Sequence, residues 1–131
     1  MRTRYSTPEW ALLFGVANAT GLQGQGWGDA IAMNLYPSRG LAIHGFEFKS
    51  HRGDWKKELA NPDKAENIAR YCDYWWLVAD VGILRDGELP MGWGYLEHKN
   101  GNLRIAVAAT QMETTTINRH FLAALLRRSQ G

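Results

Sequence analysis

The stretch from Asp29 to Lys49, DAIAMNLYPSRGLAIHGFEFK, decides the fold. Its first arm alternates Asp29, Ile31, Met33 and Leu35 with Ala30, Ala32 and Asn34, the period of two that belongs to a strand. Pro37-Ser38-Arg39-Gly40 stops that arm with turn residues. The second arm, Leu41 to Lys49, carries Leu41, Ile43, Gly45, Glu47 and Lys49 on one face and Ala42, His44, Phe46 and Phe48 on the other. So short a connection predicts an antiparallel hairpin. If the turn is symmetric about Ser38, Asp29 faces Glu47. Directly opposed residues have Cβ atoms roughly 4.5–5.5 Å apart, and like charges in that relation destabilise the pair unless something neutralises them. A divalent cation would do so, because two carboxylates, a backbone carbonyl and water suit Mg²⁺ or Mn²⁺. Lys49, two residues on along the same face, could hold or activate a water, or stabilise charge developing on a phosphoryl group. The alternative is a solvent-facing pair separated by a one-residue slip of register.

Working outward, Thr7-Pro8 followed by Trp10, Leu13, Phe14 and Ala17 predicts a first helix over about 8–19 with Gly15 in its interior. Gly21, Gly24, Gly26 and Gly28 punctuate a loop whose Trp27 could stack on a base. Helices are predicted over 54–60 and 62–72 and a buried strand over 75–79, with a loop over 82–92. Strands over 93–98 and 103–108 flank Lys99-Asn100-Gly101-Asn102, an Asn-Gly hairpin signal. A last helix covers 116–128. The predicted fold class is α/β, a mixed central sheet flanked by helices, in one domain over 1–131.

Composition sets the bounds. The chain has 131 residues, 15 Lys and Arg against 13 Asp and Glu, a net charge of +2 and a single cysteine. That size suits one core, the mild positive charge is neutral about polyanionic partners, and one cysteine argues for a reducing, cytoplasmic setting and against a thiolate zinc cage. No stretch approaches the length of a membrane span, and the start of the chain lacks a signal-type apolar run, so no membrane association is expected. His44 reads as a satisfied interior histidine, Cys72 as buried and inert, and Trp75-Trp76 as strand packing. His98 and His120 have no metal-ligand spacing. His51, Arg52, Lys56 and Lys57 follow the acidic pair immediately and could grip phosphates, or could simply form a solvated helix face.

Asp29, followed at the end of a hydrophobic strand by Glu47-Phe48-Lys49, resembles the core signature of the PD-(D/E)XK nuclease superfamily. The stretches 35–55 and 69–76 also resemble small phage and bacterial members of that group. The resemblance implies a restriction-endonuclease-like core and a Mg²⁺- or Mn²⁺-dependent deoxyribonuclease. In it Asp29 and Glu47 hold the metal with the Phe48 carbonyl as a third ligand, and Lys49 assists an activated water. It also implies DNA as partner, oriented by His51, Arg52, Lys56 and Lys57, and a cytoplasmic location in a bacterial host or a phage-infected cell. A homodimer would enlarge the small surface available to read DNA. One departure stands out: Gly15 occupies the position at which many members carry a first-helix glutamate. Glu9, on the same predicted helix but about 120° around its axis, is a candidate accessory ligand. Asn67 and Tyr71, four residues apart, are similar to a Gln-x-x-x-Tyr element of recombination-associated members. The departure at Gly15 leaves a second reading open, a catalytically impaired nucleic-acid-binding module on a nuclease scaffold.

Overall fold

The computed structural model describes residues 1–17 and 27–130. The predicted glycine-punctuated loop falls largely outside these residues, as does the base-stacking role read for the Trp27 side chain. The elements run β1 (Trp10–Ala17), β2 (Trp27–Asn34), β3 (Ile43–Lys49), α1 (Arg52–Ala60), α2 (Asp63–Ala69), β4 (Tyr74–Asp80), β5 (Gly94–Lys99), β6 (Asn102–Val107) and α3 (Arg119–Ser129). The six strands form one sheet in chain order. β1–β2, β2–β3 and β5–β6 pair antiparallel, while β3–β4 and β4–β5 pair parallel. The architecture is therefore α/β, with a mixed sheet flanked by helices.

Strand alternation sorts the core into two sides. On one side Ile31, Ile43 and Trp75 pack with Ile68 and Ala69 around α2 and with Phe121 and Ala124 of α3, and Leu77 and Ala79 pack with Trp55 of α1. On the other, Ala30, Ala32, Phe46, Trp76 and Val78 are covered by Tyr5 and its neighbours from the N-terminal segment. The parallel step from β3 to β4 needs a crossover, and α1 and α2 supply it.

The first predicted element is overturned: Trp10–Ala17 is the edge strand β1. WALLFGVA has apolar residues on both faces, and such a run fits a buried helix and a covered strand equally well by period alone. Gly15 explains itself in the strand. It adopts φ 64°, and across it the side chains change sides, Phe14 packing on the Tyr5 side and Val16 on the α3 side. Its carbonyl accepts a 2.9 Å bond from Arg128 Nε. A Cβ at this position would meet Arg128 no closer than 3.5 Å, so the backbone and not space penalises substitution. Gly15→Ala is expected to cost about 1–2 kcal/mol, the penalty of a left-handed non-glycine residue, measured as a lower urea midpoint. An unchanged midpoint would contradict the positive φ.

The hairpin forms in the predicted register. Ala30 pairs with Phe46, Ile31 with Gly45 and Ala32 with His44, which centres the turn on Ser38 within a 3-10 turn at Pro37–Arg39. His44 is satisfied as expected, its Nδ1 accepting from Trp76 Nε1 at 3.0 Å while its ring stacks on Tyr74 at 4.7 Å. Burial holds its pKa down, at about 4. Cys72 is fully buried, and burial raises its thiol pKa well out of the reactive range.

Candidate functional site

Carried one pair beyond Ala30–Phe46, the register sets Asp29 opposite Glu47. There the side chain takes over from the ladder: Asp29 Oδ2 accepts a 2.8 Å bond from the Phe48 N–H. In an extended strand a residue's N–H and C=O point to the same edge, so the Phe48 carbonyl faces the Asp29 side too. Lys49 Nζ lies 3.4 Å from Glu47 Oε1 and 3.2 Å from Glu58 Oε1. Glu47 and Glu58 are almost fully buried, 5% and 6% exposed.

Glu47 thus stands between two other carboxylates, Asp29 and Glu58, while the Lys49 ammonium is shared by Glu47 and Glu58. The consequence falls on Glu47, whose pKa rises to about 8, first through burial, then through the charge of Asp29 and the carboxyl-to-carboxyl contact with Glu58, against the opposing pull of Lys49. Burial pulls Lys49 the other way, but Glu47 and Glu58 outweigh it and hold the ammonium above its ordinary value. Lys49 is therefore a fixed positive charge at neutral pH.

A pH dependence of stability follows. Below the ordinary carboxyl value of 4.5 Glu47 is protonated whether the chain is folded or not. Between 4.5 and about 8 the folded chain keeps a proton that the unfolded chain releases. The unfolded state then binds fewer protons, and stability falls as pH rises through this window. The urea midpoint of the metal-free protein is expected to decline between pH 5 and pH 8, and Glu47→Gln to flatten that decline. Parallel profiles for the two proteins would contradict the crowding.

The donor set suits a small, hard cation: two opposed carboxylates and a carbonyl on the same edge, with Asp29, Glu47 and Glu58 clustered beside the Lys49 ammonium. Among the described residues, no group of three or more His, Cys, Asp or Glu side chains is arranged to hold a metal ion. The set is two side chains and a carbonyl, with Glu58 turned to Lys49.

Two clefts flank the carboxyl end of β3. One, of about 360 Å³, is bounded by Lys49, Ser50, Asp54, Lys57, Glu58 and Lys64. The other, of about 180 Å³, is bounded by Lys49, Ser50, Asp80 and His98. The carboxyl ends of parallel strands are where open α/β sheets bind ligands.

The remaining predicted site residues divide. His51, Lys56 and Lys57 are exposed on or beside α1, and Lys57 borders the larger cleft. Arg52 is committed elsewhere: it forms a two-pronged pair with Glu88 and donates to the Ile83 carbonyl at 2.7 Å, tying α1 to the segment before β5. Glu9 is far from the site. It accepts a 2.7 Å bond from Asn34 Nδ2, five residues along β2 from Asp29, roughly 17 Å at strand rise, so it cannot be an accessory ligand there. Asn67 is half-buried on α2. Tyr71 lies beyond that helix, buried, stacked on Phe121 at 4.4 Å and accepting from Asn118 Nδ2 at 3.1 Å, which makes it part of the seat of α3.

Glu58 and the Asp80–His98 pair, 2.5 Å apart, were not singled out by the sequence. Glu58 had left a trace: Trp55, Glu58 and Leu59 share one helical stripe, and a carboxylate on an apolar stripe calls for a partner. The Asp80–His98 pair depends on the β4–β5 register, which no local pattern reveals.

No family model and no curated protein matches this chain. Among solved structures it is similar to a protein of unknown function from Silicibacter pomeroyi, with a TM-score of 0.63 and 20% identity, covering 93% of this chain and 78% of that one. At that identity the likeness is one of fold. Among the described residues no helix is long and apolar enough to cross a membrane.

Proposed function

We propose that this protein is a metal-dependent deoxyribonuclease on a restriction-endonuclease-like core, hydrolysing phosphodiester bonds through an activated water. The observation that carries the reading is the opposition of Asp29 and Glu47 across β2–β3, with Lys49 beside them. Asp29, Glu47 and the Phe48 carbonyl would hold Mg²⁺ or Mn²⁺, which when bound supplies Lewis-acid polarisation of the phosphate and a more acidic water. Lys49, held protonated by its two glutamates, orients that water and offsets charge developing on the phosphate; its raised pKa argues against a role as base. Glu58 positions Lys49. The exposed His51, Lys56 and Lys57 orient the DNA backbone, each phosphate contact making binding weaker in salt. A cytoplasmic setting and a homodimer belong to the same reading.

Supercoiled plasmid titrated with Mg²⁺ or Mn²⁺ tests it. Cleavage that needs the metal and falls about 100-fold or more in Lys49→Ala supports the enzyme; no cleavage with either metal overturns it. One observation favours the second reading, a nucleic-acid-binding module with impaired catalysis: among the described residues, only two side chains converge on the cation position. Under that reading the plasmid is retarded in a gel and not cut.

A further inference from the structure

The larger cleft beside β3, of about 360 Å³, runs from Ser50 just past that strand to Lys57 on α1, Asn61 just past that helix, and Lys64 on α2. Lys49 and Glu58 border it too, and they hold each other at 3.2 Å. Among the described residues, the Ser50, Lys57, Asn61 and Lys64 side chains make no hydrogen bond or ion pair with another protein group. With Glu58 committed to Lys49, the charges left in the cleft are two ammoniums, Lys57 and Lys64, against the single carboxylate of Asp54. Phe48 is the aromatic residue on its border, and that ring packs on the other side of the sheet, near Phe14, with centroids 6.4 Å apart.

Two free ammoniums with a free hydroxyl and a free amide between them are donors waiting for an oxyanion. The excess of one positive charge matches the single negative charge of a phosphodiester, whereas a dianion would bring its second charge against Asp54. A base has nothing to stack on here, since the ring of Phe48 faces away. From this we infer that the cleft is a sequence-blind seat for one backbone phosphodiester of a nucleic-acid strand, with Lys57 and Lys64 clasping its oxygens and Ser50 and Asn61 donating to them. Because Lys49 borders both the cleft and the acidic pair, the seated phosphate flanks the one brought to Asp29 and Glu47. The inference rests on the nucleic-acid partner proposed above, not on catalysis, and it adds to that reading Lys64, which stands on a different helix from the basic run.

The test measures binding of a short, fluorescein-labelled, single-stranded DNA of mixed sequence to the full chain by anisotropy, with EDTA present so that nothing is cut, over a range of NaCl concentrations. Lys57→Ala and Lys64→Ala are each expected to lose at least about 5-fold in affinity and to flatten the salt dependence by about 0.7 in slope, the share of one phosphate contact. Arg39→Ala removes the same charge from the turn at the other end of β3, roughly 20 Å off at strand rise and screened by salt, and is expected to bind as the parent does. Lys64→Ala binding as tightly as the parent, or Arg39→Ala losing as much as Lys64→Ala, overturns the inference, as does a strong preference among probes of equal length and different sequence. Inorganic phosphate at constant ionic strength should displace the probe no better than chloride; better displacement would make this a site for free phosphate and overturn the assignment to a strand. Cleavage is read separately: binding that needs Lys64 without metal-dependent cutting counts against the enzyme alone, and cutting by a protein indifferent to Lys64 counts against this seat alone.

Discussion

Glu47→Gln is expected to reduce metal-dependent cleavage by about 1,000-fold or more and, in the same molecule, to raise stability at pH 8 and above. The two effects share one cause. In the proposed nuclease Glu47 is one of the two side chains, among the described residues, that would hold the cation, so its loss would forfeit several kcal/mol of transition-state stabilisation, at about 1.4 kcal/mol per factor of ten. Without a cation, the same carboxylate is buried beside Asp29 and Glu58 and is a liability once ionised. A neutral glutamine removes that repulsion while Lys49 keeps Glu58 at 3.2 Å, a gain of about 1–2 kcal/mol in a urea melt at pH 8.5. Lys49→Ala should behave oppositely, losing activity and stability together, because it strips the crowded carboxylates of their counter-charge. Cleavage at the parental rate in Glu47→Gln would end the catalytic reading. A Glu47→Gln protein less stable than its parent at pH 8.5 would instead show that the carboxylates do not repel one another.

Legibility in the sequence followed locality. The hairpin was readable because its turn residues and its two alternating arms are contiguous, and a period of two allows no ambiguity about which residues share a face once the turn is centred on Ser38. The same logic places Asp29 opposite Glu47. The sequence of β1 reads as a helix because its residues are apolar on both faces, so neither period dominates, and because the side chains switch sides at Gly15 in mid-strand. Arg52 looked like part of a basic patch since its partner, Glu88, is 36 residues away. Glu9 was placed beside the site only by the helix that does not form. Helical spacing pairs Tyr71 with Asn67, whereas α2 ends at Ala69 and Tyr71 seats α3. β1 is a local ambiguity; at Arg52 and Tyr71 a long-range pairing overrides a local pattern, which is where sequence reading has least to work with.

The largest expected loss of stability comes from a single methyl group at Gly45. Tandem Trp75-Trp76 on β4 sends one indole to each side of the sheet, and each lies over a glycine of a neighbouring strand. Trp75 pairs with Gly45 on β3 and Trp76 with Gly94 on β5. A Cβ at Gly45 would fall 2.1 Å from Trp75 Cζ3 and 3.0 Å from Cys72 Sγ, and a Cβ at Gly94 would fall 2.3 Å from Trp76 Cε3 and 2.8 Å from the Ala109 backbone nitrogen. Trp75 has nowhere to go, since it is fully buried and stands edge-on to Trp93 with centroids 6.1 Å apart. Overpacking of a well-filled core costs about 1–3 kcal/mol, occasionally more, and a rigid ring clamped on several sides belongs at the upper end. Gly45→Ala should therefore cost about 3 kcal/mol, lowering Tm by about 10 °C for a chain of this size. Because Glu47 lies two residues along the same strand face, any shift of β3 away from Trp75 also displaces the carboxylate from Asp29. A double-mutant cycle identifies the cause: with Trp75→Leu in place the ring is gone, and the cost of Gly45→Ala should shrink below about 1 kcal/mol, a coupling of the size expected for residues in contact. Equal costs in both backgrounds would mean that Trp75 does not lie over Gly45, and the parallel β3–β4 register that carries Glu47 and Lys49 would have to be redrawn with it.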